Sequence, residues 1–265
     1  MSRRQAEAAL AAATARECSR RLAEGGSSIL REIARDIRGM AEWAHYPADD
    51  VFDPVSQVQY FYHCHPAADR VGREHGHFHL FLRAGGMPPG VTPLLLPELA
   101  VADARLPPQA APLKRGGGDQ VCHLLALALD SQGEPIRLFT TNRWVTGETW
   151  YRGEDVVRML DRFVPEPSGP FGLVNHWLAA ILRLFRPQIV ELLRERDKTV
   201  MAWRRRRRVH VFEDPRLEIT SSRDIDLEGQ LAAAAAVPAA PTAARRGARR
   251  LPRMAEGWAD ESSAP

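Results

Sequence analysis

Lysine is nearly missing from this chain. Of its 36 cationic residues only Lys114 and Lys198 are lysines, and 33 acidic residues leave a formal net charge of +3. So mild a balance does not call for a polyanionic partner, and the arginine and alanine bias is that of a GC-rich genome. Cysteine is scarce as well. Cys18, Cys64 and Cys122 make an odd count without CxxC spacing, which excludes a disulfide framework and points to a reducing compartment. Long apolar runs are missing too. The longest, Phe171 to Phe185, is interrupted by Asn175, His176 and Arg183 and is too short to span a bilayer. The opening Met1-Ser-Arg-Arg4 leads into Gln5 and Glu7, not into the apolar core of a signal peptide. A cytoplasmic location is therefore expected. At 265 residues, with 45% hydrophobic and 26% charged residues, the chain can bury a real core.

Histidine is what the chain concentrates. His63, His65, His75, His77 and His79 fall in two short runs, Tyr60-Phe-Tyr-His-Cys-His-Pro66 and Glu74-His-Gly-His-Phe-His-Leu-Phe81. In extended backbone, side chains alternate between faces. His63 and His65 thus share a face with Phe61, opposite Tyr60, Tyr62 and Cys64. His75, His77 and His79 share one with Phe81, opposite Phe78 and Leu80. If the runs pair as antiparallel strands, matching the two apolar faces brings His63, His65, His75 and His77 together on the other side, because register follows burial. Directly opposed Cβ atoms lie ~4.5–5.5 Å apart, close enough for imidazoles to converge on one ion or one phosphate.

The surrounding pattern predicts α+β: an antiparallel sheet of four or more strands, covered on one face by helices from both ends of the domain. A helix is expected over 3–24, ending at Gly25-Gly26. A second, capped by Ser27 or Ser28, is expected through about Ala44. Strands are expected near 57–65, 75–83, 120–130 and 135–143, the last two joined at Ser131-Gln-Gly-Glu134. Helices are expected at 153–163, 171–185 and 187–203, and a closing hairpin at 209–213 and 217–221. The organisation read from this is an N-terminal helical extension (1–27), a single domain (28–228) and a disordered Ala/Pro/Arg tail (229–265). Within the domain, 84–119 is a proline- and glycine-rich insertion, either a surface loop or a lid, with Leu94-Leu-Leu96 available to fasten it.

Two chemistries fit the histidines. Neutral imidazole is a common transition-metal ligand, so His63, His65, His75, His77 and His79 are candidate ligands for Zn, Fe, Mn or Ni, with Glu74 able to add a carboxylate. Such a centre could serve a metal-dependent enzyme acting on a small molecule that the sequence does not name. Neither HExxH nor the usual cupin spacing is present. The alternative is phosphoryl chemistry, in which Arg143 could present its forked guanidinium to a phosphate. The bland reading is a polar strand surface. His123, in an apolar strand, reads as a core histidine that would join the cluster only if its strand neighbours 75–83. In Leu138–Trp150, Trp144 and Trp150 read as core anchors and Arg143 as a partner of Glu148. Arg204–Arg208 reads as a solvated helix end complementing the helix dipole. With the Arg-bearing tail it leaves open a non-catalytic interaction module, although nucleic acid is not the favoured partner. Oligomeric state is not legible.

Two resemblances stand beside this reading. His75-Gly-His-Phe-His-Leu-Phe81 resembles the signature of the histidine-triad nucleotide hydrolases and transferases, whose middle histidine, here His77, is the nucleophile. Glu74–Phe81 together with Leu138-Phe-Thr-Thr-Asn-Arg-Trp-Val-Thr-Gly-Glu148 resembles a bacterial family known as a domain of unknown function, from about residue 28 to 228. That family implies one domain and brings no activity, cofactor or catalytic residue.

Overall fold

The two apolar strand faces find each other as the alternation requires. In the computed structural model, which describes residues 2–34, 39–96 and 120–236, β2 (Val58–Cys64) and β3 (Glu74–Arg83) pair antiparallel, with Tyr60 opposite Leu80 and Tyr62 opposite Phe78. Four more strands complete the sheet: β1 (Tyr46–Phe52), β4 (Val121–Asp130), β5 (Pro135–Thr141) and β6 (Ile219–Asp224). Their spatial order is their chain order, and every pairing is antiparallel. Gly133, at φ +88°, forms the expected β4–β5 turn.

The helices are α1 (Arg3–Glu24), α2 (Ile29–Ala34), α3 (Arg143–Thr146), α4 (Gly153–Leu160), α5 (Gly172–Leu184), α6 (Arg186–Arg207) and α7 (Leu227–Ala235). The protein is thus α+β. A capping box at Ser2 and Gln5 starts α1. Its Ala11, Ala15, Cys18 and Leu22, spaced on one face, lie on α5. These side chains join Leu30, Ile33, Trp177, Leu178, Ile189 and Leu192 against Tyr60, Tyr62, Phe78, Leu80, Leu125 and Leu127 in one core. The opposite face of the sheet holds His63, His77, His79 and His123.

Several expectations need correcting. Of the helix expected through Ala44, Ile29–Ala34 is helical. Residues 35–38 lie outside the described residues, and 39–45 are turn and irregular backbone. Pro47, Asp49 and Asp50 hid strand β1 because they spoil its alternation. The closing hairpin does not form. Val211–Glu213 is a 3-10 turn, and β6 instead adds to the edge of β5. Asp226 caps α7, which runs to Ala235, into the stretch expected to be unstructured, because Leu227, Leu231 and Ala234 bury one face. The rest of that stretch lies outside the described residues, as do 97–119 of the insertion. Leu94 and Leu96 do fasten the start of the insertion, packing by Trp150, Val200 and Phe212.

Candidate metal centre

Antiparallel pairing sets His63 directly opposite His77 and Phe61 opposite His79, and His65 follows immediately after β2. Three Nε2 atoms converge as a result, and that of His79 adjoins the His77 nitrogen. His63 Nε2 lies 2.8 Å from His77 Nε2 and 3.2 Å from His65 Nε2, and His77 Nε2 lies 3.1 Å from His79 Nε2. Ligand atoms of His63, His65 and His77 all fall within 4.8 Å of one another. The walls are apolar: Phe61, Phe81 and Val121 on one side, Ala126, Ala128 and Phe139 on the other.

Two bulges decide which other histidines belong. Glu74 opposes Asp130 and Gly76 opposes Leu129, leaving His75 as an extra residue. Its Nδ1 lies 2.9 Å from the Tyr62 hydroxyl, on the face turned to the helices. His75, expected in the cluster, is therefore not brought there. Glu74 reaches in instead and meets His77 Nδ1 at 2.7 Å. Gly76 makes the crossing possible: a Cβ there would sit 2.3 Å from the His63 carbonyl oxygen and 2.8 Å from the Tyr62 hydroxyl. The second bulge lies where Leu80 opposes Leu125 but Phe81 opposes His123. It turns His123 out of the apolar core to place its Nε2 3.0 Å from His79 Nδ1. β4 does neighbour β3, the condition under which His123 joins the cluster.

A second layer orients the first. Arg137 donates to the second oxygen of Glu74 and stacks over Phe139 at 4.4 Å. His123 Nδ1 is 3.2 Å from Thr141 Oγ1 and 4.0 Å from Glu148 Oε1, while its backbone N–H donates to Glu148 Oε2 at 2.7 Å. On the β1 side, His45 stacks on Phe61 with centroids 3.6 Å apart. Its Nδ1 meets Asp50 at 2.7 Å, and Gln59 and Arg83 extend that network. His45 Nε2 is buried without a hydrogen-bond partner among the described residues. Trp43, held at φ +64°, tilts over the His65 ring at 4.3 Å.

Burial, reinforced by the neighbouring His77, holds His63 and His79 well below the ordinary imidazole range. Burial likewise pushes His65 down to about 4 and His123 to about 3. These four imidazoles are thus neutral near pH 7, the form that binds metal. Burial would raise Glu74, but hydrogen bonds from His77 and Arg137 outweigh it and hold that carboxyl below its usual value. Glu148, fully enclosed, is pushed up to about 8 by burial.

The other sequence candidates lie elsewhere. Arg143 pairs with Glu213, not with Glu148, and stacks over Phe212. Trp150 is a core anchor as expected, and Trp144 donates to the Leu217 carbonyl. Arg204–Arg207 form the last turn of α6, Arg208 caps it in the left-handed region, and Arg207 lies over the Trp203 ring. His45 and Asp50 carried no sequence signal, His45 lying just before β1 and Asp50 within that irregular strand. From sequence Glu148 reads only as a partner of Arg143, because periodicity does not reveal the direction of the turn before it.

No helix among the described residues is long and apolar enough to cross a membrane. No curated protein and no solved structure matches the chain. A family model does match, over residues 9–225, taking in most of α1 and all six strands. The chain belongs to that family, the domain of unknown function DUF6969.

Proposed function

We propose that this protein binds a divalent transition metal through the Nε2 atoms of His63, His65 and His77. One observation carries the reading. An imidazole Nε2 has a single in-plane position, holding either a proton or a lone pair. His63 Nε2 faces both His65 Nε2 and His77 Nε2 within hydrogen-bond distance, so at most one of the two contacts can be a linear hydrogen bond. A cation among three lone pairs removes the conflict. Ligands ~2.0–2.1 Å from a tetrahedral ion stand roughly 3.3 Å apart, close to the separations seen here. The neutral state of His63 and His65 and the carboxylate behind His77 support the same reading, since a metal-bound histidine usually donates its other N–H to an oriented acceptor. All-imidazole ligation suits Zn, Fe, Mn or Ni and does not select among them.

Elemental analysis of protein purified without an affinity tag tests this. Near-stoichiometric metal is expected. Adding Zn to stripped protein at a hundredfold excess over Kd should raise stability by ~2.7 kcal/mol, a Tm gain of roughly 5–10 °C for a domain of this size. Less than about a tenth of an equivalent of any transition metal, with no thermal gain on adding Zn, Fe, Mn or Ni, would discard the reading. Glu74→Gln, which keeps the shape but weakens the hold on His77, should cost roughly 10–100-fold in metal affinity. Isothermal titration of the two proteins measures that loss.

A further inference from the structure

We propose that His79 is a fourth imidazole of this centre, and that His123 and Glu148 are positioning residues that keep the His79 proton turned away from the metal. The inference rests on the metal reading above, and it follows from counting hydrogens along an unbroken line of side chains. If His77 gives its Nδ1–H to Glu74 and its Nε2 lone pair to a cation, His79 Nε2, 3.1 Å away, cannot donate to that lone pair. The single proton of a neutral His79 must then sit on Nδ1, where it faces His123 Nε2 at 3.0 Å. His123 Nε2 must accept it, so the His123 proton sits on its own Nδ1, directed at Thr141 Oγ1 at 3.2 Å and at Glu148 Oε1 at 4.0 Å. Glu148 is held in place by the backbone N–H of the same histidine.

The reverse order is also self-consistent. The Thr141 hydroxyl would donate to His123, His123 to His79, and His79 Nε2–H to His77 Nε2. That order consumes the lone pair His77 needs for a metal, so the two arrangements exclude each other. In the metal-bound order the His79 Nε2 lone pair is bare, beside that of His77 and on a ring 5.1 Å from the His63 ring. Drawn onto an ion, it would fill the position that a hydrolytic centre leaves to water and would close that ion to substrate.

The tautomers are directly readable. In zinc-loaded, full-length protein, nitrogen-15 spectra of the imidazoles should show His79 and His123 both protonated at Nδ1 and bare at Nε2. A proton on Nε2 of either residue overturns the inference. Cobalt titrations give a second reading. His123→Leu should weaken cobalt binding by roughly 10–100-fold and alter the visible spectrum of the bound ion. His123→Gln, whose side-chain oxygen can accept from His79 Nδ1, should recover part of both. A leucine variant with the parent's affinity and spectrum overturns the positioning role while leaving the three-histidine site standing. A parent protein that takes up neither zinc nor cobalt overturns both readings. If the leucine variant does not fold, the tautomers of the parent decide the matter.

Discussion

Without metal, the protein is expected to lose much of its stability, with a falling Tm, as the pH drops from 6.5 towards 5. His63, His79 and His123 have folded pKa values depressed below the ordinary 6.5. Below that pH the unfolded chain takes up protons that the folded chain refuses. The stability they contribute is fully present above pH 6.5 and drains away as the pH drops towards their folded values. Each contributes a slope of ~1.4 kcal/mol per pH unit. Glu148 runs the other way: its folded pKa of about 8 lies above its ordinary 4.5, so protonation of the folded form offsets roughly one imidazole in this window. The net slope from these groups is then about 3 kcal/mol per pH unit, against a total stability of ~5–15 kcal/mol, and the half-buried His65, pushed down to about 4, steepens it. Circular dichroism melts in chelator at pH 7, 6 and 5 measure this, and an unchanged Tm across the series contradicts it. Zinc should shift the transition to lower pH, because a bound cation competes with protons for the same nitrogens.

Gly76→Ala should be the most damaging single methyl group in the sheet. The new Cβ meets a main-chain oxygen, that of His63, at 2.3 Å, and the Tyr62 hydroxyl at 2.8 Å. A flexible side chain could swing aside. The His63 carbonyl cannot do so without moving β2. Overpacking costs typically 1–3 kcal/mol, and the upper end is expected here, a Tm loss of about 6–12 °C. Any relief displaces the His63 backbone away from His77, so metal affinity should fall with stability. Alanine at Gly90, which has open space around it, should leave metal binding intact despite its left-handed backbone. Equal affinities in these two variants would contradict the argument.

The β2–β3 register was legible because one face of each strand is uniformly apolar. A one-residue slip would turn Tyr60, Tyr62, Phe78 and Leu80 away from the helices. The meeting of His63 with His77 follows from that alone. Alternation could not show where the ladder stumbles. The bulge beside Gly76 sends His75 out, and the one at Leu124–Leu125 brings His123 in. An extra residue changes the parity of everything beyond it while leaving composition unchanged. Strand β1 was hidden by Pro47 and the acidic pair Asp49–Asp50, and with it His45. The partners of Arg143 and Glu148 were not legible either, because which charged groups meet depends on how the turns after β5 and α6 bring distant segments together.

The sheet's plain meander bears on how this centre could change without being lost. The three histidines proposed as ligands lie within Phe61–Phe81, on or just after two strands adjacent in sequence as well as in space. Nothing outside that short stretch is needed to supply a ligand atom for the trio, only to bury and orient it. The connection between Arg83 and Val121 can therefore lengthen, shorten or be cut without breaking the covalent path that joins the ligands. A chain cut there should keep the proposed ligands on one covalent segment. The proposed ligand atoms come from one uninterrupted stretch of sequence, while residues that orient them, Arg137, His123 and Glu148 among them, lie beyond it.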